Sequence, residues 1–178
     1  MSLTISQLQN EWPHREAIKD CLYRYSRGID RGDEAMLRSC YWPDATDDHA
    51  GLYSGPASEY IDMAVQNTAA RCPTQHFVTN ILIRIDGDKA SVESYYYAVH
   101  EGMMLGGALR DFIATGRYLD RFERRGDEWR IAARAVAIDW YREYPDTTDW
   151  SVGPFGLGDG GRGGRMPDDQ SYSLLDLA

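Results

Sequence analysis

The sequence predicts an α+β fold, with helices packed on one face of a curved antiparallel sheet. Three observations lead there. Apolar residues recur at helical spacing within residues 15–71. Two long alternating runs, each folded at a Gly-Asp turn, occupy residues 74–144. The chain has 178 residues, of which 43% are hydrophobic, enough for one core in one domain.

The elements follow in order. Between Arg15 and Arg31, Ile18, Leu22, Tyr25 and Ile29 are four, three and four residues apart, the spacing of one buried helix face. Gly28 and Gly32 mark its end, and Asp33 is placed to cap a short helix over DEAMLRSC. Pro43 breaks helix, and WPDATDDHAGLYSG reads as a strand and turn. A third helix is predicted from Pro56 to Arg71, with Tyr60, Met63, Ala64 and Val65 on its apolar side. TQHFVTNILIRI then runs into Asp86-Gly87-Asp88 and returns as KASVESYYYAVHEGMM, a strand, a tight turn and a strand. A second long hairpin joins FIATGRYLDRFERR to EWRIAARAVAIDWYREY through Gly126-Asp127. One domain is thus expected over 1–145. Residues 146–178, rich in Gly, Pro and Asp, read as an irregular tail that covers a pocket mouth or reaches a neighbouring subunit. Phe155, Met166, Leu174 and Leu175 are its candidate anchors.

Composition excludes some partners. The net charge of −9 argues against nucleic acid and anionic membranes, which attract concentrated Lys and Arg. No apolar run approaches the ~20 residues of a membrane span. Cys21, Cys40 and Cys72 form no CxxC pair, which fits reduced thiols and a cytoplasmic location. Twelve Tyr and five Trp suit pocket walls as well as a core. Gly156 to Gly161 match GxGxxG, but more glycine follows where a helix should open, so no dinucleotide site is read there.

The chemistry-bearing candidates are few. His14 lies beside Pro13 and reads as surface. His76 lies eleven residues before Gly87 and His100 thirteen after it, so the two imidazoles lie at the same end of one hairpin. Whether they share a face depends on register and on any bulge. Asp30 ends the first helix seven residues after Tyr23, on nearly the same stripe. It reads as a site residue, as the cap of the next short helix, or as a solvated helix-end carboxylate. His49 sits in Asp47-Asp48-His49, a poor chelate because neighbouring strand residues point to opposite sides, and no metal site is expected. Tyr96 shares parity with His100, whereas Tyr95 and Tyr97 do not. Arg134, Ile138 and Trp140 alternate onto one face of the last strand, where Trp140 could roof an aromatic substrate.

Tyr23 and Asp30 on the first helix, ThrGlnHisPhe at 74–77, His100 on the next strand and GluTrpArgIleAla at 128–132 together resemble the NTF2-like, SnoaL-like superfamily, and within it the scytalone dehydratase branch. The resemblance covers about Arg15 to Tyr141. It implies a cone: a strongly bent antiparallel sheet wrapped around the N-terminal helices, the cystatin-like α+β barrel, with a deep pocket at the open end. It implies Asp30 as the orienter of an acid/base His76, His100 as a second donor, and no cofactor. Tyr23, His49 and Tyr118 by this resemblance, and Tyr96, Arg134 and Trp140 by strand parity, are the candidate substrate-binding positions. Ile29 and His49 stand where that branch has two tyrosines, and Gly116 and Tyr118 where it has polar residues, so scytalone itself is not the expected substrate. The function implied is a cofactor-free lyase or isomerase for a small aromatic or cyclic apolar compound, working as a homo-oligomeric dimer or trimer. The alternative is a non-catalytic assembly subunit, like the small subunits of ring-hydroxylating dioxygenases.

Overall fold

A Thr4 capping box opens the first helix: Gln7 N–H donates to the Thr4 hydroxyl while the Gln7 side chain accepts from Thr4 N–H. In this computed structural model, which describes residues 3–69, 73–147, 149, 151–152 and 162–176, α1 therefore spans Ile5–Arg31. It begins ten residues before the predicted start. Pro13 lies inside it, because proline's fixed φ is compatible with helix and costs one backbone bond there. His14 is not a free surface residue. Its Nδ1 accepts from Trp129 Nε1 at 3.1 Å.

Gly32 ends α1 in the left-handed conformation, and Asp33 caps α2, Glu34–Cys40, by accepting from Met36 N–H at 2.9 Å. Gly28 lets the two helices touch, since a Cβ there would lie 2.8 Å from Leu37 Cγ. β1 spans Tyr41–Asp48, β2 Ser54–Pro56 and α3 Ala57–Ala69. Arg71, the predicted end of the third helix, lies outside the described residues, as do Cys72 and Phe155. The hairpins are β3, Thr74–Asp86, with β4, Lys89–Leu105, and β5, Ala108–Arg125, with β6, Glu128–Pro145. A one-turn α4, Ser171–Leu174, lies in the tail.

The six strands are ordered β2-β1-β6-β5-β4-β3. The sheet is mixed rather than wholly antiparallel, because β1 runs parallel to β6. The predicted hairpins are antiparallel as expected. Ile18, Leu22, Tyr25 and Ile29 of α1 are all buried, together with Ile83, Val92, Phe122 and Ile131 of the sheet. The apolar spacing thus marked the helix face that meets the sheet.

Bulges in the long strands decide which side chains face that core. In β3, Asn80 and Ile81 stand opposite Ser94 alone, and Asn80 has φ +48°. Before the Asp86 turn the inward residues are odd-numbered, Ile83 and Ile85. Beyond the bulge they become even, so His76 faces the same side as His100. In β6, Thr115 pairs with Trp140 but Gly116 with Ile138, leaving Asp139 extra. Only glycine fits at 116, where a Cβ would lie 1.9 Å from the Ala137 carbonyl oxygen.

Candidate active site

Asp30 is buried at the C-terminal end of α1 and meets the first residues of β3. His76 Nδ1 lies 2.7 Å from Asp30 Oδ1. A carboxylate only accepts, so Nδ1 carries the hydrogen and Nε2 is left as the basic nitrogen. The backbone N–H of His76 donates to Asp30 Oδ2 at 2.9 Å, and the Thr74 hydroxyl donates to Oδ1 at 3.0 Å. Three donors from one strand end therefore fix the carboxylate. The helix-end reading of Asp30 fails, because Asp33 does the capping.

His100 approaches from β4. Its ring stands edge-on to His76, with centroids 5.5 Å apart. Burial, and then the neighbouring His76, push its pKa down to about 4 despite a backbone contact with Phe112. It is therefore neutral at pH 7. Its Nδ1 is buried without a hydrogen-bond partner among the described residues. Phe112 packs on the His100 ring at 5.8 Å, and Tyr141 packs on Phe112 at 5.6 Å. Tyr141 is 54% exposed, so this aromatic line runs from the imidazoles to the surface.

A second polar network fills the enclosed core. The Tyr41 hydroxyl donates to Asp47 Oδ2 at 2.7 Å, and His49 Nδ1 lies 3.1 Å from Asp47 Oδ1. His49 Nε2 is then free to accept from Tyr60, at 3.3 Å, and Tyr60 from Tyr25, at 3.2 Å. Arg134 pairs with Asp120 through two bonds of 2.7 and 2.8 Å and lies between the rings of Tyr25 and Tyr118. Burial pulls the Asp120 pKa upward against the opposing pull of Arg134.

The structure brings together Asp30, His76 and His100. Tyr96 is also on their face, buried and stacked on Tyr118 at 4.7 Å. Burial first, then Asp139, raise its hydroxyl pKa to about 12. His49 is apart: no bond or ring contact joins it to the three among the described residues. Tyr118 and Arg134 are enclosed in the core instead of lining an open wall. Tyr23 is 55% exposed. Seven residues drift about 20° around a helix, and at that angle the flank of α1 is open. Trp140 faces the other side of the sheet, because the extra Asp139 reverses its parity. Tyr141 takes the inward place.

Phe112 and Tyr141 carry no signal in the sequence, and Thr74 appears there only as part of the motif at 74–77. Parity with His76 could have found Thr74. Tyr141 was hidden by the bulge. The tail residues were hidden as well. A cavity of about 370 Å³ opens beside Asp30, lined also by Thr74, Val99, Glu101 and, from the tail, Arg162 and Arg165. The tail is held there by polar contacts. Arg31 Nη1 donates to the Gly164 carbonyl at 2.6 Å, Met166 N–H donates to the Arg31 carbonyl at 2.8 Å, and the Tyr172 hydroxyl donates to Asp33 at 3.0 Å. The expected apolar anchors Met166, Leu174 and Leu175 are 49%, 73% and 55% exposed.

Known proteins share this architecture. The SnoaL-like domain family model matches residues 10–135. Terrestric acid biosynthesis cluster protein E of Penicillium crustosum is 30% identical over 149 residues, covering 78% of this chain and 88% of its own. The hexachlorocyclohexane dehydrochlorinase LinA-type3 of Novosphingobium barchaimii superposes with a TM-score of 0.69 at 20% identity, covering 82% of this chain and 99% of its own. A protein of Novosphingobium aromaticivorans provisionally named a scytalone dehydratase gives 0.67 at 18% identity, over 85% and 99%. The length and identity of the family match, together with the cone of helices and curved sheet, make the chain a member of the SnoaL-like family within the NTF2-like superfamily.

Proposed function

We propose that the chain is a cofactor-independent lyase or isomerase that acts by His/Asp acid–base chemistry on a small aromatic or cyclic substrate. The observation that carries this reading is the 2.7 Å bond from His76 to a buried Asp30, with the neutral His100 ring 5.5 Å away. A structural histidine needs no oriented carboxylate and no second imidazole. His76 Nε2 takes a proton from a carbon or hydroxyl of the substrate, and Asp30 stabilises the imidazolium that forms. His100 donates a hydrogen bond to the leaving group or to developing oxyanion charge. In an elimination the electron pair of the broken C–H bond becomes the new π bond, and the leaving group departs with its own pair. His76 then returns its proton to solvent or product. Phe112 and Tyr141 supply an apolar approach for a ring. Dehydrochlorinase and dehydratase, the names of two structural neighbours, both denote eliminations, which supports the class without fixing the bond broken.

The proposal extends to assembly and place. Phe77, Leu82, Tyr95, Tyr97, Leu119 and Trp140 are 39–70% exposed on the outer sheet face. An apolar surface of this kind suits a second copy of the chain in a homo-oligomer. Among the described residues no helix is long and apolar enough to cross a membrane, and the uncombined cysteines accord with a cytoplasmic setting.

The test is a screen of aromatic and cyclic alcohols and halides, read by mass analysis of whole products. Wild type should convert at least one compound class, and His76→Ala should lose that conversion while keeping its thermal melt. Conversion by the folded His76→Ala protein at the wild-type rate overturns the reading.

A further inference from the structure

One oxygen of Asp30 serves two donors at once. Oδ1 accepts from the Thr74 hydroxyl at 3.0 Å and from His76 Nδ1 at 2.7 Å, while Oδ2 accepts from the His76 backbone N–H at 2.9 Å. Thr74 is 3% exposed and opens β3. The acid–base step gives it no part, yet its hydroxyl has a single hydrogen and donates it to the carboxylate. Thr74 is also the residue directly opposite His100 in the β3–β4 ladder. Side chains so paired in an antiparallel sheet stand about 4.5–5.5 Å apart at Cβ. One small side chain thus bonds Asp30, shares a face with His76 two residues on, and stands across from His100. Threonine suits the place. Its β-branch favours the strand and restricts χ1, which aims the hydroxyl.

We propose that Thr74 is a positioning residue that sets how strongly Asp30 holds the imidazolium form of His76, and so the pH range over which His76 is free to act as a base. The inference rests on the acid–base reading of the same site and adds a control to it. A hydrogen bond donated to an ionised carboxylate draws charge from the oxygen that accepts it and favours the charged form. Thr74 and the His76 ring share one oxygen, so the bond from Thr74 weakens the hold of that oxygen on the ring. Without the hydroxyl, the charge of Oδ1 faces the ring alone, the imidazolium is held more tightly, and Nε2 keeps its proton to higher pH. With it, the two bonds from His76 still orient the ring, while a proton taken at Nε2 is released more readily to product or solvent. The other charged and titratable groups nearby are His100, and Arg31, Glu101, Arg162 and Arg165 on the cavity beside Asp30. Removing one hydroxyl leaves all of them in the chain, so a change in the pH profile that the hydroxyl restores belongs to Thr74.

The experiment uses the full chain, isotope-labelled, and compares wild type with Thr74→Val and Thr74→Ser in NMR titrations of the imidazole signals. Valine keeps the branched shape and removes the donor, whereas serine keeps the donor. In Thr74→Val the His76 Nδ1–H signal should move downfield as its bond to Oδ1 tightens, and the ring signals should respond to pH at higher pH than in wild type. Thr74→Ser should bring both back toward the wild-type positions. With a compound found by the product screen, the acid limb of the rate–pH profile should move to higher pH in Thr74→Val and return in Thr74→Ser. Should Thr74→Val melt early, Thr74→Ala against Thr74→Ser makes the same comparison. An Nδ1–H signal and a titration unmoved in the folded variant that lacks the hydroxyl, or moved equally in Thr74→Ser, overturn the role of the hydroxyl. The NMR arm needs no substrate, so the two ideas fail separately. Unmoved spectra with turnover lost in His76→Ala leave the acid–base reading standing. Spectra that move as stated, with no conversion by wild type, leave only the hold of Thr74 on the Asp30–His76 pair.

Discussion

At the residue scale, the site is defined by two histidines in opposite situations. His76 is held by a carboxylate, whereas His100 is buried beside another imidazole. The pair therefore offers a base at His76 Nε2 and a neutral donor in His100. Asp30→Asn should keep the bond from His76 Nδ1, because the amide oxygen still accepts, while its NH2 meets the His76 backbone N–H and costs some stability. It should lose much of the rate, since it cannot stabilise the imidazolium. His76→Ala should lose on the order of 10²–10⁴ in rate, the usual worth of a positioned acid/base. Steady-state rates and melts of the two variants check both statements. His100 makes a separate, pH-dependent claim. Its pKa in the fold is about 4 against an ordinary 6.5. Between those values the unfolded chain binds more protons than the folded one, so stability rises with pH through that window. The contribution is flat above about pH 6.5 and is lost as pH falls toward 4, reaching roughly 3 kcal/mol. His100→Gln should flatten this part of the acid limb relative to wild type, as measured by denaturant unfolding at several pH values. Identical acid limbs would refute the buried, neutral assignment.

At the element scale, bulges rather than strands aim the site. The strands were legible, because alternation and Gly-Asp turns are local signals. The bulge at Asn80 was not, because one extra residue leaves the alternation on either side intact. Yet it alone turns His76 to the His100 side. Asn tolerates positive φ, whereas a β-branched residue does not. Asn80→Val should therefore destabilise the protein by about 1–2 kcal/mol, while Asn80→Gly should be nearly neutral, and unfolding midpoints measure both. Deleting Asn80 should restore odd-numbered inward parity, turn His76 outward and abolish turnover even where the fold survives. The β6 bulge explains why Trp140 was placed on the wrong face. Gly116→Ala should disrupt that bulge, given the 1.9 Å approach to Ala137 O. The first helix was legible in its buried stripe but not in its start. Its first turns are fixed by the Thr4 capping box and by the contact of His14 with Trp129, neither of which the buried stripe records.

At the scale of the whole molecule, the cone is a family architecture and the tail lies beyond the stretch the family match covers. The family match ends at residue 135, whereas the arginines beside Asp30 come from 162–165. Glycine-rich sequence carries no period from which such a return could be read. Truncation after Pro145 removes the contacts to Arg31 and Asp33, and should lower the thermal midpoint and impair turnover. Unchanged melting and activity would show the tail to be passive. The exposed aromatic face should hold copies together, so that Trp140→Glu with Tyr97→Glu shifts the mass measured by light scattering toward a single chain. The central claim concerns the proton. It is tested most directly by incubating wild type and His76→Ala in D₂O with a panel of cyclic ketones and carboxylated rings that carry acidic C–H bonds. Deuterium incorporation is then read by mass. The account predicts catalysed exchange by wild type, slowed by about 10²–10⁴-fold in the folded His76→Ala protein. Exchange at equal rates in both, or none by wild type across the panel, would contradict it.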